Sequence, residues 1–175
     1  MEKRLSAMQK KIIDERAEKV LLAYQYKDGE DIYVDAILLA RFFGFNVAES
    51  TDLVATEDGC ITVNKDASEK TILVNDCRSF EAKRFIITHE LAHYLLHYQG
   101  SGRFFKHRED IKGKNLEEND ADYLAACLLM PQKSFKKQYE DLSKLKGCID
   151  IIAELQKKFR TPRESIKRRI QEVCR

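Results

Sequence analysis

His89-Glu90-Leu91-Ala92-His93 is the stretch of this chain whose residue types and spacing can do chemistry. On a helix the two histidines stand four residues and about 6 Å apart on one face, so both imidazoles can reach one cation. Glu90, rotated by roughly 100°, then faces the water on that cation. This is the geometry of a metal-dependent hydrolase. Phe85, Ile86, Leu95 and Leu96 flank the motif at positions able to bury a helix around the polar pair.

A hydrolytic zinc site built on two histidines needs a third protein ligand and an open position. The acids of Glu117-Glu118-Asn119-Asp120-Ala121-Asp122 open a helix that continues to Met130 and stops before Pro131. If Ala121, Ala125 and Leu128 mark its buried face, Glu118 and Asp122 fall on or near that face and Asp120 points away. Glu118 is therefore the expected third ligand. Asp122, one turn later, is placed to accept the free ring N–H of a metal-bound histidine. His97 continues the histidine stripe, but eight helical residues span about 12 Å, so it is assigned to structure or to the outer surroundings of the site. One divalent cation is expected, with zinc best suited to these donors and manganese also admitted. Tyr94, His107 and Tyr123 are the side chains considered for stabilising an oxyanion.

The supporting elements follow from periodicity. The 175 residues are 43% hydrophobic and 34% charged, enough for one globular body with a sizeable core. No apolar run approaches the ~20 residues of a membrane span, and Met1-Glu2-Lys3-Arg4 leads into no signal-type segment, so a cytoplasmic protein is expected. Five widely spaced cysteines without a Cys-x-x-Cys pair read as reduced thiols. Helical spacing predicts a first helix over about 7–26 and a second carrying Val34, Ile37, Leu38 and Phe42 on one face until Gly44. From Phe45 to Asn75 short β-type runs (45–47, 53–55, 60–63, 71–74) predict a small, largely antiparallel sheet, with Asp58-Gly59 as the strongest hairpin signal. Ser79 is the expected N-cap of the motif helix, which should run to about Tyr98. Residues 100–116 read as a long polar loop. These elements make an α+β fold.

The charge is uneven. Residues 1–131 carry 18 Lys and Arg against 23 Asp and Glu, or −5, and residues 132–175 carry 13 against 6, or +7. The two parts are expected to be a core with N-terminal helices and a basic helical subdomain packed on it. Thr161-Pro162-Arg163-Glu164 predicts a capping box at the last helix, Arg163–Val173, which should bury Ile166, Ile170 and Val173 and expose Lys167, Arg168 and Arg169. Residues 152–170 have the look of half a helix-turn-helix, without an evident third helix or wing. A docking or core-closing role is therefore favoured over DNA contact.

The segment His89 to His97, followed by Glu118-x-x-Ala121-Asp122-x-Leu124-Ala125-Ala126-x-Leu128-Leu129-Met130-Pro131, resembles the ImmA/IrrE family of metallopeptidases from about Ile32 to Arg169. Asp122 stands where that family often has Asn, and Leu124 where it often has Phe. The resemblance implies a zincin-like fold, metal ligands at His89, His93 and Glu118, and Glu90 as the catalytic carboxylate. It also implies a protein substrate, a helix-turn-helix transcriptional repressor whose cleavage derepresses its genes. The metal and the hydrolysis follow from the residues themselves, whereas the repressor follows only from the resemblance. The alternative is a metal-binding regulator that binds DNA or a repressor through the basic tail, although a purely structural site has no use for Glu90.

Overall fold

The computed structural model describes residues 5–53, 57–100, 104–107, 116–145 and 149–174. Several of its helices begin where side chains can satisfy the first free backbone N–H groups. Helix α1 (Ala7–Ala23) opens on a reciprocal capping box, Ser6 with Gln9, and buries Ile13, Ala17, Val20 and Leu21. Asp35 caps α2 (Ala36–Phe42), accepting from the N–H groups of Ile37 and Leu38. The buried face of α2 is Ala36, Leu39 and Ala40. Ile37, Leu38 and Phe42, the expected face, are 41%, 51% and 52% exposed. On so short a helix, two small alanines beside Leu39 let its backbone approach the core more closely than the bulkier side would. Gly44 (φ +83°) ends the helix, as its sequence position suggests.

Strands β1 (Asn46–Ser50), β2 (Gly59–Val63), β3 (Lys70–Asn75) and β4 (Phe104–His107) form one sheet in the order β1-β3-β2-β4. It is mixed: β2 pairs antiparallel with β3 and β4, while β1 pairs parallel with β3. Of the expected strand at 53–55, Leu53 lies in a bend and residues 54–56 fall outside the described residues. The β2–β3 hairpin turns through 64–69, with Val63 opposite Lys70, and Asp58-Gly59 instead leads into β2. Gly59 is needed for close approach rather than for a turn. A Cβ there would meet Ile86 Cγ2 at 2.6 Å and the Leu73 carbonyl oxygen at 2.8 Å. Within the expected loop 100–116, residues 104–107 are the edge strand β4.

Helix α3 (Phe80–His97), capped by Ser79, packs on the sheet and along α4 (Leu116–Leu129), and α1 packs on α4. Ile86, Ile87, Leu91 and Ala92 of α3, Ile61, Val63, Ile72 and Val74 of the sheet, and Leu124, Leu128 and Leu129 of α4 belong to one hydrophobic core. Phe135 of α5 (Gln132–Ser143), Leu155 and Phe159 of α6 (Ile151–Phe159) and Ile166 of α7 (Arg163–Val173) join the same core. Helix α5 is capped from outside: Asp28 accepts from the N–H groups of Lys133 and Ser134 at 3.1 and 2.7 Å. Arg84 of α3, 4% exposed, ties remote segments together by donating to Tyr33 Oη and to the carbonyls of Val34 and Arg160.

At α7 two expectations change. Pro162 occupies the cap position without a side-chain hydrogen bond, and the Thr161 hydroxyl is buried against Met130 Sδ at 3.6 Å. Arg169 is 2% exposed. It sits three residues after Ile166 on the buried stripe, where its long side chain reaches the end of α4.

Candidate metal centre

Histidines 89 and 93 face α4 from the middle of α3, 0% and 2% exposed. Their Nε2 atoms are 3.1 Å apart. Glu118, in the first turn of α4, brings Oε2 to 3.2 Å from Nε2 of His89 and Oε1 to 3.2 Å from Nε2 of His93. All three residues offer donor atoms lying within 4.8 Å of one another. Donors about 2.1 Å from a tetrahedral zinc lie about 3.4 Å apart, so these separations suit one small cation. Imidazole, imidazole and carboxylate form a donor set that binds zinc and admits manganese.

The sequence places Glu118 and Asp122 one turn apart, and both arrive at His89 from the same side. Asp122 Oδ1 lies 2.9 Å from His89 Nδ1, which favours the tautomer that presents Nε2 to a cation. Asp120 is not among the converging donors. His97 lies one turn beyond His93, with ring centroids 5.6 Å apart, and is likewise outside the group.

Burial disfavours a charged imidazole and would lower the pKa of His89. Its hydrogen bonds to Asp122 and then Glu118 outweigh that and carry it up to about 9. Glu118 is held far below the usual carboxylate range, by its hydrogen bonds to His89 first and His93 second. A group of donors so tightly coupled to protons in the metal-free state exchanges those protons for a cation when one binds.

Glu90, next along α3, is 1% exposed. A Cβ on Gly59 would lie 3.7 Å from its Cγ, so the start of β2 forms the wall behind it. Burial, and after it the charge of Glu90, push the Cys60 thiol upward. Sequence reasoning missed this wall because Asp58-Gly59 reads locally as a turn; the contact is made by residues some 30 positions away.

Neither tyrosine considered for the oxyanion faces this group. Tyr94 accepts from Lys70 Nζ at 3.0 Å and packs edge-on to Phe45. Tyr123 donates to Asp14 on α1 at 3.1 Å. Both hydroxyls are engaged by elements away from the histidine face. His107 occupies β4 opposite Cys60; its side chain lies outside the described part.

An HExxH helix packed on a small sheet, answered by a glutamate from the next helix, defines a zincin-like metallopeptidase architecture. The family model of Peptidase M78, the IrrE N-terminal-like domain, matches residues 43–171, and the chain belongs to that family. Comparison with curated proteins finds no match. Among solved structures, a transcriptional regulator from Mycobacterium tuberculosis is similar with a TM-score of 0.57 and 19% identity. The match covers 91% of this chain and 47% of that one, so the chain spans about half the length of that structure. The likeness is one of fold.

Proposed function

We propose that the protein is a metal-dependent endopeptidase that cleaves a helix-turn-helix transcriptional repressor in the cytoplasm. In this reading His89, His93 and Glu118 hold one divalent cation, zinc or alternatively manganese, and Glu90 is the general base. The observation that carries it is the convergence of three donor atoms from two helices with a buried carboxylate one residue from the first ligand. When bound, the cation supplies Lewis-acid polarisation of the scissile carbonyl and brings the pKa of water toward ~7. Glu90 accepts a proton from the attacking water on a carboxylate oxygen and delivers it to the leaving amide nitrogen. Asp122 holds the ring of His89 through Nδ1. Residues 1–131 form the catalytic body in this reading, with the helices of 132–175 docked on it. Family membership supports a peptidase, and the resemblance read from the sequence supports the repressor.

The second reading, a regulator binding DNA or a repressor through its tail, is favoured by the basic surplus of residues 132–175. Four of its bases nevertheless have acidic partners within the same segment, which leaves the net surplus unchanged but ties up those side chains. Lys157 pairs with Glu154, Arg163 with Asp150, Lys167 with Glu164 and Arg168 with Glu172.

The deciding experiment mixes zinc-loaded protein with the repressor encoded nearest its own gene. One discrete cut is expected, and Glu90→Gln should slow it by at least ~100-fold with zinc content unchanged. Near-normal cleavage by the Gln variant would move the general base elsewhere. No cut by the unmodified protein, with zinc bound, would favour the regulatory reading.

A further inference from the structure

Asp122 faces two helices at once. Its Oδ1 lies 2.9 Å from Nδ1 of His89, and its Oδ2 lies 3.9 Å from Nη1 of Arg168 on α7. The guanidinium is itself held: Arg168 Nε donates to Glu172 Oε1 at 3.3 Å, one turn further along α7. The other oxygen of Glu172 is 3.6 Å from Nη1 of Arg169. Arg169 then anchors α7 to the helix that carries Asp122. Its Nε donates to the Met130 carbonyl at 3.1 Å, and its Nη1 lies 3.4 Å from Cys127 Sγ. The line Arg169, Glu172, Arg168, Asp122, His89 therefore joins the C-terminal helix to a candidate ligand.

We propose that Arg168 is a positioning residue of the metal centre, holding the Asp122 carboxylate against Nδ1 of His89 so that Nε2 is presented to the cation. The proposal rests on the reading of His89, His93 and Glu118 as ligands. A carboxylate 6% exposed has several rotamers open to it unless both of its oxygens are engaged. One oxygen lies against the imidazole at 2.9 Å, and the Arg168 guanidinium stands 3.9 Å from the other. Partners of metal-bound histidines of this kind set ring orientation and ligand basicity, and their loss typically lowers metal affinity by about 10–100-fold. Arg168 is 45% exposed, so its removal leaves no buried hole. Its neighbour Lys167 pairs with Glu164 and supplies the matched control.

The test is the zinc affinity of the full chain, read by competition with a chromophoric chelator, with the visible spectrum of the cobalt(II)-loaded protein as a second readout. Arg168→Ala should weaken zinc binding by about 10-fold and shift the cobalt spectrum, and Arg168→Lys should recover most of the loss. Lys167→Ala should change neither. In an Asp122→Asn background Arg168→Ala should cause no further loss, because the two act through one contact. The melting temperature of the metal-free protein should fall no more in Arg168→Ala than in Lys167→Ala. Wild-type zinc affinity in Arg168→Ala, an undiminished further loss in the Asp122→Asn background, or a loss matched by unfolding of the metal-free protein would each overturn the proposal. If His93→Ala also kept wild-type affinity, the ligand assignment would have failed, and the proposal with it.

Discussion

Helix α4 opens on four acids within six residues, Glu117, Glu118, Asp120 and Asp122, and α7 carries three consecutive bases, Lys167, Arg168 and Arg169. Neither run acts as a unit. In α4, Glu118 and Asp122 turn onto His89 while Asp120 stays out of the group. In α7, Arg169 enters the core, Arg168 reaches sideways to Asp122, and Lys167 pairs with Glu164 at the surface. A rotation of 100° per residue separates neighbours in sequence onto different faces. Burial then decides what each charge is worth, since an exposed ion pair contributes about 0–1 kcal/mol and breaking a buried one costs several. Single substitutions along each run should therefore differ far more from one another than their chemistry suggests.

The largest contrast should appear in α4. Glu118→Ala and His93→Ala should each lower zinc affinity by orders of magnitude, because each removes one of the proposed ligands. Asp120→Ala should leave it within a few-fold of wild type. Titration against a chelator of known affinity checks this, and a large loss in Asp120→Ala would mean that α4 presents a different face to α3. Next in size is α7. Arg169→Ala should reduce stability by about 3 kcal/mol, since it strips Met130 and Glu172 of a buried partner. An unchanged urea midpoint would show that this arginine contributes little.

How much of this was legible in the sequence depends on range. The histidine pair, its helix, the Ser79 cap and the helical phase of Glu118 and Asp122 are local, set by one helix and its period, and they stand where the sequence reading put them. The sheet was legible only as short apolar runs, because strand pairing is decided between segments far apart. Hence the parallel β1–β3 pairing and the edge strand 104–107 went unseen. The burial of Arg169 lay on the Ile166, Ile170 stripe and could have been read from it. An arginine is assigned to solvent by default, and only the carbonyl and thiol at the end of α4 reveal a partner. Thr161 illustrates the same limit: its capping pattern is correct locally, yet the hydroxyl is drawn into the core beside Met130.

Gly59 offers an intermediate test on the sheet side of the site. Gly59→Ala would put a methyl group 2.6 Å from Ile86 Cγ2 and 2.8 Å from the Leu73 carbonyl oxygen. The strand must shift, at a cost of about 1–3 kcal/mol. Because Glu90 packs on the same spot, cleavage should fall more than zinc affinity does. Calorimetry and a peptide assay on the same preparation separate the two effects. A variant as stable and as active as wild type would mean that β2 does not press on Glu90.

The smallest effect should come from Lys167, the base of the α7 run with neither core nor site to serve. Its pair with Glu164 is surface-exposed, at 44% and 81% side-chain accessibility, where solvent screens the attraction. Lys167→Ala should therefore change stability by less than ~0.5 kcal/mol. It should also leave the proposed cleavage unaltered, because its ion pair among the described residues is with Glu164 and not with the candidate metal centre. If the tail binds duplex DNA, the same substitution would remove one phosphate contact and reduce the salt dependence of binding by about one counterion. The measurement is a duplex-binding titration at several salt concentrations. A flat response is expected, since Arg169 is buried, Arg168 faces Asp122, and a single remaining lysine is little basis for groove recognition. A steep salt dependence that Lys167→Ala flattens would restore the tail as a nucleic-acid surface and undo the distinction drawn between its three bases.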